Sequence, residues 1–413
     1  MKKLLTAGLL AFSSTLIAQN ISGSWKGILD AGTVKLNIVF HFQKGTDGKE
    51  VCLMDSPDQS AKGIPTKLQY ISADSVSVSV PALFMEYNGK LRNNTIEGVF
   101  KQGGATLKLD LEQGEVKRNR PQTPATPYPY ITEEVTFKNA KADVTLAGTL
   151  SYPVGYRKGD KVPVVLMVSG SGGQNRDSEL FDHPYFQVIA DYLARHGIAS
   201  LRYDDRAIGA STGSYQAANT REVADDAKAG IEYLRNLHQF SQVGLLGHSE
   251  GGCVAFMLGA EKELDFAISM AGTGLKGDEL LYTQAQAISE KSGIPFKFSK
   301  EEFLQTVKAQ KNPWMDFFMA YDPKGNIERM SCPVLALHGE KDMQVITSTN
   351  ASTIKAYLPK NIRSEVKIYQ GLNHLFQPCT TGLPTEYASI EQTIDPSVLE
   401  DIVTWINQLT EKD

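Results

Sequence analysis

The sequence predicts a doubly wound, mostly parallel α/β sheet carrying a helical lid insertion, preceded by a small antiparallel all-β domain. Three observations carry this reading. Between residues 21 and 115 apolar side chains tend to recur at every second position. From 118 to 130 the chain is interrupted by Pro121, Pro124, Pro127 and Pro129. From 133 onward short apolar runs alternate with helical stretches. The length of 413 residues exceeds one ordinary core, so two domains are expected.

Residues 1–18 read as a secretory signal peptide. Lys2 and Lys3 precede an apolar stretch from Leu4 to Ile17 that Thr6, Ser13, Ser14 and Thr15 interrupt, with a cut expected after Ala18. The run is too short and too broken for a membrane span, which needs about 20 apolar residues. The expected product is periplasmic or secreted, without a membrane span. The formal net charge is −5, and losing Lys2 and Lys3 makes it more negative. With no basic run, nucleic acid and anionic membranes are excluded as partners. Cys52, Cys253, Cys332 and Cys379 are far apart and form no C-x-x-C, which argues against a metal site and leaves disulfide pairing open.

Residues 19–117 form the expected all-β domain. Val34, Leu36, Ile38, Phe40 and Phe42 follow the period of a half-buried strand. Ser75 to Val80 alternates serine with valine, and Ala105 to Leu111 repeats the pattern. Turn signals at 45–48, 88–89, 93–94 and 103–104 divide the region into seven or eight strands of a barrel or curled sheet. Trp25 and Tyr87 are read either as packing residues or as platforms for a sugar face. Residues 118–130 are a Pro-rich linker, with extended, semi-rigid backbone.

Residues 131–413 are the expected catalytic domain. A hairpin (134–137 and 145–152) precedes apolar runs at 164–168, 198–201, 243–246, 266–270 and 334–337, which read as buried parallel strands. Helical stretches lie at 185–196, 221–237, 252–261 and 347–357. The segment from about 275 to 330, with helical pieces at 279–292 and 300–310, interrupts the alternation just past two strand ends. That is the place of a lid.

Gly247-His248-Ser249-Glu250-Gly251 follows one of these strands and precedes a small-residue helix. It is the G-x-S-x-G elbow, whose glycines admit a strained turn that lifts the serine hydroxyl clear of the sheet. Alone it is weak, arising by chance in about one such chain in five. A serine nucleophile needs a base and a carboxylate to orient that base. Downstream of Ser249 stand only two histidines, His338 and His374. The loop His338-Gly339-Glu340-Lys341-Asp342 supplies the acid, with Asp342 preferred to Glu340 as orienter and His374 taken as base. Ser249, Asp342 and His374 then all fall at strand ends on one edge of the sheet. A helix N-cap for Ser249, a turn acid for Asp342 and a loop histidine for His374 are the structural alternatives. The oxyanion donors are assigned to the backbone N–H of Glu250 and of Ser171, in the Gly-rich loop 169–173. The Glu250 carboxylate itself reads as a first-turn acid favoured by the helix dipole. Trp314, Phe317 and Phe318, in an aromatic stretch of the insertion, are read either as an acyl pocket wall or as lid core.

The C-terminal part of about 280 residues resembles the α/β-hydrolase superfamily, in particular two-domain bacterial carboxylesterases of the EstD type, related to the dienelactone hydrolase and prolyl oligopeptidase groups. The residues that carry the resemblance are 169–173 with Arg176 and Asp177, 202–206 with Gly209, Ser211 and Gly213, 247–251, 338–342, and Asn373 with His374. Many relatives have His-Gly where Ser169-Gly170 stands and Gly where Ala207 stands. The resemblance implies hydrolysis of small to medium esters through an acyl-enzyme, with no cofactor and no metal. The substrate is then a small-molecule or glycan-linked ester. A serine peptidase of prolyl oligopeptidase type is the alternative within the same chemistry, and a non-catalytic glycan-binding protein is the alternative outside it.

Overall fold

The computed structural model describes residues 21–32, 34–59, 61–214 and 218–410, so the expected signal peptide lies outside the described residues. The chain forms two compact units, which divide between Arg118 and Asn119.

The first unit is one antiparallel sheet of ten strands among the described residues. Its path starts at Ala61–Pro65, crosses Glu50–Ser56, Lys35–Lys44 and Gly23–Asp30, and ends at Lys67–Ile71. The two ends of that path are chain neighbours separated only by Thr66, so the sheet curls into a nearly closed barrel. Ten strands exceed the expected seven or eight. The two edge strands lack a clean alternation and flank Thr66, and 105–113 is split into Ala105–Lys108 and Leu111–Gln113. Alternation elsewhere does its expected work: Val76, Val78 and Val80 point into a core that also holds Phe40, Phe42 and Ile96. Trp25 and Tyr87 are both buried in this core, and the Tyr87 hydroxyl donates to the Leu109 carbonyl at 3.2 Å. Neither ring can serve as a sugar platform, and packing is their role.

The second unit takes up most of the expected linker. Arg118 ends the first unit with its guanidinium on Asp58 at 2.5 Å. From Asn119 on, the segment is bound along the second unit. Arg120 donates to the carbonyls of Phe181, Ala388 and Ile390, and the Gln122 side-chain oxygen accepts the N–H groups of Thr393 and Ile394. Proline content reports the extended backbone but is silent about such side-chain partners.

Eight strands of the second unit form one sheet: β1 (Thr132–Asn139), β2 (Val144–Ser151), β3 (Val162–Val168), β4 (Ala199–Tyr203), β5 (Phe240–His248), β6 (Ala267–Met270), β7 (Val334–Gly339) and β8 (Ser364–Tyr369). Their order is β1-β2-β4-β3-β5-β6-β7-β8, with the first two antiparallel and β4 through β8 parallel. The helices are α1 (Tyr185–Arg195), α2 (Thr220–Asn236), α3 (Glu250–Ala260), α4 (Gly277–Lys291), α5 (Lys300–Lys308), α6 (Pro313–Ala320), α7 (Lys324–Ile327), α8 (Thr347–Tyr357) and α9 (Pro396–Thr410). The strands are apolar on both faces because both faces are covered. Along β3, Val164, Leu166 and Val168 pack into the core that includes residues of α2 and α3, while Val165 and Met167 pack into the core with α1 and α9. Helices α4 to α7 make up the insertion between β6 and β7, placing it beyond the C-terminal ends of the central strands.

Candidate active site

Strand β5 delivers Ser249 to a turn that only a special local sequence permits. Ser249 has φ 55° and ψ −114°, a left-handed conformation that a non-glycine residue adopts at a cost. A Cβ on Gly247 would sit 1.8 Å from the Gly251 carbonyl oxygen, and one on Gly251 would sit 2.2 Å from that of Val168. The glycines are therefore required by the close packing of β5, β3 and α3. The Ser249 N–H donates to the Met270 carbonyl at 2.8 Å, tying the turn to the end of β6. Ser249 occupies the N-cap position of α3, yet its side chain makes no capping bond. The hydroxyl is partly exposed and is not spent on the helix.

Strand β7 ends at Gly339 and places Asp342 beside the loop that follows β8. Asp342 and His374 are both buried, each 2% exposed. One carboxylate oxygen accepts the N–H groups of Gln344 and Val345, both at 2.8 Å, and the other lies 2.7 Å from His374 Nδ1. An ionised carboxylate only accepts, so Nδ1 carries the proton and Nε2 is left with its lone pair. Ser249 and His374 line the same cavity of about 440 Å³. The rival residues are engaged elsewhere. Glu340 accepts the Gly371 N–H at 3.0 Å, and His338 is fully buried in β7, where desolvation pushes it down to about 4.

The Gly-rich loop after β3 closes over the serine from the other side. Gly170 packs against Ser249, and Ser171 lines the cavity. Glu250 is the first residue of α3, so its N–H is among those that have no acceptor within the helix. Ser169 donates from its hydroxyl to Asp205 at 2.9 Å. The same Asp205 oxygen accepts the Gln174 N–H at 2.9 Å, so one buried carboxyl pins both ends of the loop. Desolvation raises Asp205 to about 7, with repulsion from Asp226 and Glu250 adding to it.

A family model described as "Serine aminopeptidase, S33" matches residues 183–291. Esterase EstD of Thermotoga maritima is 25% identical over 273 residues, covering 63% of this chain and 65% of that protein. Dipeptidyl-peptidase 5 of Porphyromonas gingivalis is 25% identical over 241 residues, covering 55% of this chain and 32% of the peptidase. The chain thus spans less than two thirds of either relative's length. A solved structure of an esterase from Pyrococcus furiosus superposes with a TM-score of 0.43 at 20% identity, covering 62% of this chain and 89% of that one. The second unit has the α/β-hydrolase fold, and parts of it are similar in sequence to an esterase and to a peptidase.

In this hydrolase unit the insertion walls the cavity, with one correction to the residues expected there. Trp314 and Phe318 line it and stack with ring centroids 5.4 Å apart. Phe317 does not line it. It packs against the core under α3 and stacks on Tyr321 at 6.4 Å. On a helix, 318 lies about 40° from 314 whereas 317 lies about 60° to the other side, about 100° from 318, which carries its ring off the face that 314 and 318 present. The remaining wall includes Leu180, Leu280, Val345 and Leu375, with Gln174, Gln284 and Gln344 supplying polarity.

Several functional side chains escaped sequence reasoning. His248 is buried, and its Nε2–H donates to the His374 carbonyl at 3.0 Å. Desolvation pushes it down to about 3, so it stays neutral and holds the base's backbone in place. Nothing about the variable position of the elbow motif announces this. Asp205 hid inside an arginine–aspartate-rich stretch whose other members form structural ion pairs, Arg206 with Asp226 at 2.7 Å and Arg176 with Asp204 at 2.8 Å. The Glu250 carboxylate accepts from the Thr220 hydroxyl at 2.6 Å and from Trp314 Nε1 at 2.8 Å. It is thus more than a first-turn acid.

Proposed function

We propose that this chain is an exported serine carboxylesterase that cleaves small to medium esters through an acyl-enzyme. The observation that carries the reading is the 2.7 Å contact of Asp342 with His374 Nδ1, beside the same cavity as the strained Ser249. Export rests on the sequence of residues 1–18 alone. In the first step His374 Nε2 takes the Ser249 proton as Oγ bonds to the carbonyl carbon. Asp342 stabilises the imidazolium, and the N–H groups of Glu250 and Ser171 receive the oxyanion. Collapse breaks the bond to the alkoxy oxygen, which leaves as alcohol with the proton from His374. Water then attacks the acyl carbon and gives its proton to His374. The Oγ–carbon bond breaks, Oγ is reprotonated, and the acid departs.

The test is an activated ester such as p-nitrophenyl acetate. A burst of about one p-nitrophenol per chain is expected, with Ser249→Ala removing the burst and turnover together. Wild-type protein without turnover of any acyl ester would defeat the proposal.

A serine peptidase is the second reading, favoured by the aminopeptidase family model. Against it, the described residues lining the cavity include no Asp or Glu to hold a substrate amine. Parallel assays on esters and on dipeptidyl anilides separate the two. A non-catalytic glycan binder is disfavoured, since the two aromatics proposed as sugar platforms are buried.

A further inference from the structure

We infer that Glu250 is a positioning residue: its carboxylate anchors lid helix α6 over the cavity and so sets acyl-chain preference. The inference rests on the carboxylesterase reading for its substrate. The anchor itself rests on geometry alone. Trp314 Nε1 lies 2.8 Å and 3.1 Å from the two Glu250 oxygens, and the Thr220 hydroxyl donates to one of them at 2.6 Å. Glu250 is 5% exposed, so its carboxyl is held away from water and depends on these donors. Moving α6 outward would strip the carboxylate of the indole N–H, which makes the seated lid the favoured state.

The lid end of this contact is built to transmit position. Asn312 caps α6 by accepting the Trp314 N–H at 3.0 Å, and Pro313 opens the helix. Phe318 lies on the same face as Trp314 and packs with Leu280 and Val345 in a small cluster at the cavity wall. Gly277 of α4 meets the Phe318 carbonyl so closely that a Cβ would fall 1.8 Å from it, so α4 and α6 are in direct backbone contact. Glu250 also follows the nucleophile directly, and its own N–H faces the oxyanion. One residue therefore joins the fit of the acyl chain to the geometry of the reacting centre.

Hydrogen–deuterium exchange on the full chain tests the anchor, and ester chain-length profiles test its consequence. In Glu250→Ala, amides of 313–320 should exchange about tenfold faster while those of 396–410 keep their rate, the mark of local release rather than global loosening. The octanoyl-to-acetyl ratio of kcat/KM should fall about fivefold, mainly through KM for octanoate. Glu250→Gln keeps an oxygen for the indole N–H and should restore both readouts to within about twofold. Trp314→Phe, which keeps an aromatic ring but loses the N–H, should speed exchange of 313–320 and stands in if Glu250→Ala does not fold. Unchanged exchange at 313–320 in the folded variants overturns the anchor whether or not esters are cleaved. Faster lid exchange with an unaltered chain-length ratio overturns the role in specificity. Inactive wild-type protein would instead defeat the carboxylesterase reading, with the anchor still judged by exchange.

Discussion

Among the described residues two sets of Ser, His and Asp stand out, one in each unit. In the barrel, Ser24 Oγ lies 2.9 Å from His41 Nδ1, and His41 Nε2 lies 2.9 Å from Asp55. In the hydrolase unit, His374 is held by Asp342 at 2.7 Å beside Ser249. By residue type and by the His–Asp distance the two look alike. Their surroundings differ. Ser24, His41 and Asp55 stand on paired strands whose backbone groups serve the ladder, and Ser24 also donates to Glu115 at 3.2 Å. Ser249 sits on a strained turn at a helix N-terminus, faces a cavity, and has a second loop closing over it. A reactive serine thus requires a place for the oxyanion and the substrate, and not only a relay of three side chains.

The comparison is sharpened most strongly by removing each carboxylate. Asp342→Asn should lower kcat on an activated ester by about 10⁴-fold, because the amide no longer fixes the Nδ1–H tautomer. Asp55→Asn should leave kcat within about twofold and alter only thermal stability. Comparable losses in both variants would erase the distinction drawn between the arrays.

A smaller effect is expected at the cavity that only one array is shown to face. Phe318→Ala should shift chain-length preference by about tenfold, whereas Phe317→Ala should cost stability, about 1–3 kcal/mol in a denaturant titration, with little change in preference. The reverse pattern would mean that α6 sits in a different register.

The Gly-rich loop after β3 carries a pH signature. Asp205 is raised in the fold to about 7, so between the ordinary carboxylate range and pH 7 the folded state binds a proton that the unfolded state has lost. Its favourable contribution is therefore full at low pH and is lost as pH rises through about 7. Wild-type protein should lose stability from pH 5 to pH 8, by about 1.4 kcal/mol for each pH step of one over which only the folded state holds the proton. Asp205→Asn should flatten that slope in melts at both values. An unchanged slope in the variant would remove Asp205 as its source.

The smallest effect concerns the loop after β4. Ala207 has φ 63°, where glycine is favoured. Ala207→Gly should stabilise by about 0.5–1 kcal/mol without changing catalysis, measured by chemical denaturation.

These features were unequally legible in the sequence. The sheet of the second unit was readable because buried parallel strands are continuous apolar runs, and Ser249 and Asp342 stand just past two of them, whereas His374 follows the half-exposed strand Ser364–Tyr369. Helix α6 was harder: Trp314, Phe317 and Phe318 are alike in composition, and only the helix phase separates wall from core. The Ser24–His41–Asp55 array was invisible, since it arises from the register Ser24↔His41 across two strands that turn signals do not specify. His248 and Asp205 were missed because their roles depend on partners far along the chain, the His374 carbonyl and the Ser169 hydroxyl. The Pro-rich segment announced extended backbone, but its binding along the second unit depends on acceptors more than 200 residues away.

The most direct measurement is to treat the folded chain with a fluorophosphonate and map the adduct by peptide mass spectrometry. A single adduct on Ser249 is expected, lost in Ser249→Ala and unaffected by Ser24→Ala. An adduct on Ser24, or none on the folded wild-type protein, would contradict Ser249 as the nucleophile.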